Sequence, residues 1–306
     1  RGGGLVWVDA NPKTEKNHEF VRNAAALHGV GLKAPEVRGV DYDHGLLAVT
    51  DLGDTQLIGC LNADNVLAWY GKAIALLPRL GAVEMELEPF DAAFMARENA
   101  IFPEWLLGQH LQLTLSAEEE QLLAETFACL TANNLAQPQG VMHRDFHSRN
   151  LMVCGGQTPG ESELAIIDFQ DMVIGPLSYD LVSLLKDCYV RWPDEVIEQG
   201  MRQGFETLRQ AELLGGLDYA AFRRAADLTG MQRHLKAAGI FTRLWHRDGK
   251  SGYLKDIPRT LDYVVDVCRT HGESYPVLVR FGAWLEQVVL PGLTRVAEAR
   301  ADGAAS

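Results

Sequence analysis

Hydrophobic residues in the first fifty positions come in short runs. "LVWVDA" reads as a strand, residues 15–29 as a helix, and "GLLAVTDLG" as a second strand ending in a turn. From Asp64 the period changes, because Val66, Trp69, Tyr70, Ile74 and Leu77 recur at helical spacing, as do Leu122, Leu123, Phe127 and Leu130. Ser116 and Glu119 open the second of these helices with a capping-box pattern, in which each side chain satisfies an otherwise free backbone N–H. The run between them, "EPFDAAFMARENAIFPEWLLGQHLQLTL", predicts a helix plus an irregular connection. Two apolar stretches, "LMV" at 151–153 and "LAIID" at 164–168, flank the turn-rich "CGGQTPGESE" and predict a β-hairpin with a long loop. Beyond Asp180 the spacing predicts helices over 180–191, 194–213, 218–238, 256–270 and 276–300. The chain therefore reads as α+β, a small β-rich part followed by a helical bundle that carries one hairpin.

Composition narrows what such a chain does. With 306 residues and 47% apolar content it can build one large core or two ordinary ones. A net charge of −13 repels nucleic-acid backbones and anionic lipid surfaces. The five cysteines are scattered, with no C-x-x-C pair or zinc-like spacing, which fits a reducing cytoplasm. No apolar run approaches the roughly 18 to 20 residues of a membrane span. The opening "RGGGLVWVDA" lacks an initiator Met and enters a strand almost at once, so residues are expected before Arg1.

The densest chemistry lies in "GVMHRDFHSRNLMV", residues 140–153. His143 and His147 are four apart and would share a face of a helix, but "HRDFHSRN" has no helical period and runs into a strand, which argues against a metal site. Phosphoryl transfer instead needs a base to orient the attacking hydroxyl, with oxygen ligands for Mg²⁺ close by. Asp145 and Asn150 occupy the H-x-D-x-x-x-x-N pattern, and Asp168 closes the second apolar stretch in "IIDFQD", where a hairpin can return it to the first.

"HRDFHSRN", "IIDFQD" and "GPLSYDL" together resemble the aminoglycoside phosphotransferase and choline kinase group, small-molecule kinases with the protein-kinase fold. Within it, "VWVDANP", "TDLGD", "FPEW" and "LKAAGIFTRL" are similar to bacterial anomeric kinases of N-acetylmuramate and N-acetylglucosamine that serve cell-wall recycling. The resemblance implies a two-lobed fold, with an N-terminally incomplete β-rich N-lobe over 1–52 and a mainly helical C-lobe over 53–306. It implies ATP and Mg²⁺ as cofactors, Asp145 as catalytic base, and Asn150 and Asp168 as metal ligands. Adenine is expected against the hinge backbone of Thr50, Asp51 and Leu52. Asp180 is expected to brace the catalytic loop, and Asp171 is either structural or an assistant to Asp168. The implied partner is a small amino sugar, without nucleic acid, membrane or obligatory protein partner.

The pattern breaks at the strand lysine that holds the α- and β-phosphates in protein kinases, because Asp9 stands there and Lys13 and Lys16 lie past the strand. Another cation, a shifted alignment or an inactive nucleotide-binding scaffold would each account for it. "RGGG" is a turn or the remnant of a phosphate-covering loop. "GVGLKA" fits a dinucleotide fingerprint by letters, but a helix precedes it and Pro35 follows. No G-x-x-x-x-G-K-[ST] occurs.

An acceptor sugar wants planar hydrogen-bonding groups and an aromatic face, and a lactyl carboxylate wants a cation. His147 and Arg149 in the loop, Glu104 in "FPEW", and His234 and Arg243 in "QRHLKAAGIFTRLWHRDG" are the candidates. The acidic charge leaves a kinase of cationic aminoglycosides as the alternative.

Overall fold

The computed structural model describes residues 4–304, so the first three residues of "RGGG" lie outside the described residues. In chain order the elements are β1 (Leu5–Asp9), α1 (Asn17–Gly29), β2 (Val37–Asp41), β3 (Leu46–Thr50), α2 (Val66–Ile74), α3 (Leu77–Gly81), α4 (Ala92–Asn99), a π-helical stretch (Phe102–His110) and α5 (Ala117–Leu135). They continue with β4 (Gln139–Met142), β5 (Leu151–Gly155), β6 (Ser162–Ile166), β7 (Val173–Pro176), α6 (Ser178–Leu185), α7 (Asp194–Gln210), α8 (Tyr219–Asp248), α9 (Ile257–His271), α10 (Pro276–Trp284), a second π-helical stretch (Leu285–Val289) and α11 (Leu290–Ala304). Two compact units result, one holding the chain up to Pro89 with Pro138–Asp187 and Trp192–Tyr219, the other Phe90–Gln137, Cys188–Arg191 and the chain from Ala220 on.

In the first unit β3 is the middle strand of an antiparallel sheet ordered β1-β3-β2, and its Leu47, Ala48 and Val49 are buried. Helix α1 is tied to β1 by Asn17, whose Nδ2 donates to the Ala10 carbonyl at 2.8 Å. "GVGLKA" is the turn out of α1, with Gly31 in the left-handed region at φ +72°.

Two nested ribbons follow. β4 pairs antiparallel with β7 from Gln139↔Pro176 to Met142↔Val173, and β5 pairs antiparallel with β6 from Leu151↔Ile166 to Gly155↔Ser162. The chain runs β4, loop 143–150, β5, β6, loop 167–172, β7, so the outer ribbon clamps the far ends of both loops and the inner ribbon their near ends. The expected hairpin is present; the outer ribbon was not expected. The inner hairpin is held further by Ile166 N–H donating to Lys33 O and Val153 N–H to Thr55 O, each at 2.8 Å. Behind the loops every residue of α6 is buried. Helix α7 packs on it through Gly200 and Gly204, where a Cβ would collide with Leu185 and Leu181.

Two helix boundaries differ most from expectation. The helix expected over 180–191 ends at Leu185, and the one expected to end at 238 continues to Asp248. In the second unit the capping box forms as expected: Glu119 N–H donates to Ser116 Oγ at 3.3 Å and Ser116 N–H to Glu119 Oε2 at 2.8 Å. Phe102, Leu106, Leu130, Leu235, Leu261 and Phe281 belong to its core, all fully buried.

Candidate active site

The nested ribbons leave loops 143–150 and 167–172 facing each other, and side chains lock them together. His143 Nε2 lies 2.9 Å from the Ile167 carbonyl, which can only accept, so Nε2 carries the proton. That leaves Nδ1 to accept the Asp145 N–H at 3.2 Å. Both ring nitrogens of His143 are thereby committed, as a bracing residue requires and a metal ligand does not allow. The Asp145 carbonyl accepts from His147 N–H at 2.9 Å and from Asn150 Nδ2 at 3.0 Å. The same Asn150 amide reaches Asp168 Oδ2 at 3.1 Å, and Ile167 N–H donates to the Asn150 carbonyl at 3.1 Å. Asp145, Asn150 and Asp168 are thus brought into one linked group, as their spacing predicts.

Backbone strain marks the same place. Arg144 at φ 77° and Asp168 at φ 63° occupy the left-handed region that non-glycine residues rarely adopt, and surrounding bonds hold both. Arg144 N–H donates to Asp180 Oδ1 at 3.0 Å and His143 N–H to Asp180 Oδ2 at 2.6 Å, so Asp180 braces the loop as expected. Burial pushes the Asp180 carboxyl up to about 6, against the opposing pull of His143 and these two N–H donors. A second brace escaped sequence reasoning: Asp187, fully buried, accepts both the N–H and the hydroxyl of Ser148. Nothing in local spacing marks a partner so far along the chain.

Beside this group a cavity of about 380 Å³ is walled by Val8, Leu47 and Phe20 on its apolar side and by Lys16, Asn150 and Asp168 on its polar side. Phe20 stacks on Phe169 at 4.8 Å between ring centres, and the buried Asn23 Nδ2 donates to the Phe169 carbonyl at 2.9 Å, which fixes α1 against the Asp168 loop. Thr50 closes β3 opposite Leu5. Asp51 N–H donates to Gly4 O at 2.9 Å, its carboxylate accepts the Gly53 N–H at 2.8 Å, and the Leu52 carbonyl faces the Cys154 thiol at 3.7 Å. None of these three residues is among those that line the cavity.

The remaining candidates divide between the units. His147 is buried in the loop and Arg149 half-buried there. In the second unit His234 is fully buried and stacks on Tyr263 at 4.9 Å. Glu104 is exposed on the first π-helical stretch, and Arg243 is half-buried, its pKa lowered first by burial, with Glu104 among the carboxylates that oppose the shift. Among the described residues no group of three or more His, Cys, Asp or Glu side chains is placed to hold a metal ion. Asn150 and Asp168 do offer two hard oxygen-bearing side chains within hydrogen-bond reach of each other, a partial set that suits Mg²⁺, which keeps several waters.

A family model described as phosphotransferase enzyme family matches residues 3–214. The chain is 36% identical over 268 residues to the N-acetylmuramate/N-acetylglucosamine kinase of Pseudomonas putida, covering 87% of this chain and 77% of that protein. It is 36% identical over 282 residues to a protein of the same name from Neisseria meningitidis, covering 90% and 82%. Among solved structures it aligns with an ethanolamine kinase of Plasmodium vivax at a TM-score of 0.61 and 10% identity, over 87% of this chain and 76% of that one. That likeness shows the fold, the one the motifs implied.

Proposed function

We propose that this chain, which belongs to the phosphotransferase enzyme family, transfers the terminal phosphoryl group of ATP to the anomeric hydroxyl of an N-acetylated amino sugar. N-acetylmuramate and N-acetylglucosamine, the substrates in the names of its relatives, are the acceptors, and cell-wall recycling in the cytoplasm is the setting. Among the described residues no helix is long and apolar enough to cross a membrane. The observation that carries the reading is the linked group Asp145, Asn150 and Asp168 on two facing loops.

In this reading Asp145 accepts a hydrogen bond from the acceptor hydroxyl and aims its oxygen at the phosphorus. A weak base suffices, because a loose transition state leaves proton removal until late and an anomeric hydroxyl is more acidic than other sugar hydroxyls. Asn150 and Asp168 would hold a magnesium ion, which when bound would supply charge to offset that on the phosphoryl oxygens. Asn150 has a second task, since its amide fixes the Asp145 carbonyl and so the orientation of the base. The nucleotide side is taken as 1–52, with adenine against Thr50, Asp51 and Leu52 at the hinge, and 53–306 as the side of catalysis and acceptor. Arg149, Glu104 and Arg243 keep the exposure an acceptor contact needs; His147 and His234 would act from buried positions.

ATP consumption with N-acetylmuramate, N-acetylglucosamine and kanamycin tests the reading. Turnover with the acetylated sugars, abolished by Asp145→Asn, is expected; turnover on kanamycin alone, or nucleotide binding without turnover, would overturn it.

A further inference from the structure

The residue that usually holds the α- and β-phosphates in kinases is a strand lysine paired with a helix carboxylate. Here β1 ends at Asp9, exposed and in register with Leu46. Nucleotide phosphates brought to a wall containing Glu15 and Asp168 would meet negative charge, which must be offset for a polyanion to bind. Among the described residues lining the cavity, Lys16 is the one cation.

Four contacts fix Lys16 there. Asn17 ties the start of α1 to the end of β1, and Asn23 and Phe20 tie the body of α1 to the Asp168 loop. The Lys16 ammonium itself lies 2.6 Å from Asp171 Oδ1, three residues past Asp168. Both members of this pair are well exposed, at 56% and 41%, so the pair adds little to stability. An ammonium with three donors can hold one carboxylate oxygen and still donate to a phosphate.

We propose that Lys16 is the phosphate-holding cation of this enzyme and Asp171 the carboxylate that positions it. The usual pair is inverted: the lysine comes from the N-cap of α1 and the acid from the loop that carries Asp168. The proposal rests on the kinase reading for the identity of the nucleotide, and it gives Asp171 a role toward Lys16 rather than toward the metal.

Titration calorimetry of the full chain with ADP and with adenosine tests it, because only ADP carries the charges Lys16 would hold. Lys16→Ala should weaken ADP at least tenfold and leave adenosine within twofold, while Lys16→Arg keeps most ADP affinity. Asp171→Asn should weaken ADP by a smaller factor, and Lys13→Ala should change neither. ADP affinity unchanged in Lys16→Ala, or ADP and adenosine weakened together, would overturn the proposal. A wild-type chain that binds ADP but phosphorylates no sugar would sink the sugar-kinase reading while the ADP-to-adenosine comparison still decided the role of Lys16.

Discussion

Asp187 holds the middle of loop 143–150 by accepting both the backbone N–H and the hydroxyl of Ser148. Asp180 holds the start of the same loop, so α6 and the residue just past its end grip the loop at two points. Removing the carboxylate in Asp187→Ala strands two buried donors, at a cost of about 2–3 kcal/mol in urea unfolding, with kcat reduced as well. Ser148→Ala removes the hydroxyl side of the same contact. The double variant is expected to be more stable than the sum of the single losses implies, by about 1 kcal/mol or more; strict additivity would contradict the pairing.

The Asp180 carboxyl gives stability a pH dependence of known sign. Its pKa rises from the ordinary 3.8 in an unfolded chain to about 6 in the fold. The folded state therefore binds the proton more tightly, so the contribution of this group grows as pH falls through 6 and is lost as pH rises through it. Between pH 7 and pH 5 the wild-type unfolding free energy should gain about 1 kcal/mol relative to Asp180→Asn. Parallel pH profiles for the two proteins would refute the shift.

Asn150 touches both Asp145 and Asp168, and its replacement should affect catalysis more than folding. Asn150→Ala and Asp168→Asn are each expected to lower kcat by about 100-fold or more, with unfolding free energies within about 1 kcal/mol of wild type. Magnesium titrations of activity should show a raised half-saturation point for Asp168→Asn. An unchanged magnesium response would remove Asp168 from the metal site.

The grouping of Asp145, Asn150 and Asp168 was legible because its signals are local. Asp145 and Asn150 share one loop, and apolar strands on either side of "CGGQTPGESE" announce the hairpin that returns Asp168. β4 and β7 were not legible, because "QGVM" and "VIGP" are four residues long, include Gly or Pro, and become strands only by pairing with each other. The early end of α6 has a tertiary cause: past Leu185 the chain leaves the helix and sets Asp187 beneath Ser148. The extra length of α8 was hidden because its middle buries Gln232, Arg233, His234 and Lys236 together with apolar residues, which erases the polar face that periodicity needs. The Lys16–Asp171 pair joins residues far apart in sequence, and only the fold brings them together.

Close packing of α6 on α7 supports loop 143–150 from behind, and Gly204 permits it. Gly204→Val drives a branched side chain into Leu181 and should cost about 2–3 kcal/mol, read as a lowered urea midpoint. Gly59→Ala, at a position with no neighbour within 4 Å of an added Cβ, should stay within about 0.5 kcal/mol of wild type. Equal effects of the two would contradict the packing.

The most direct measurement is a phosphorus NMR spectrum of the product formed from ATP and N-acetylmuramate or N-acetylglucosamine. Transfer to the anomeric hydroxyl gives a phosphorus doublet whose coupled proton is the anomeric one. A triplet from the two methylene protons of a 6-phosphate, or the absence of any sugar phosphate, would contradict it.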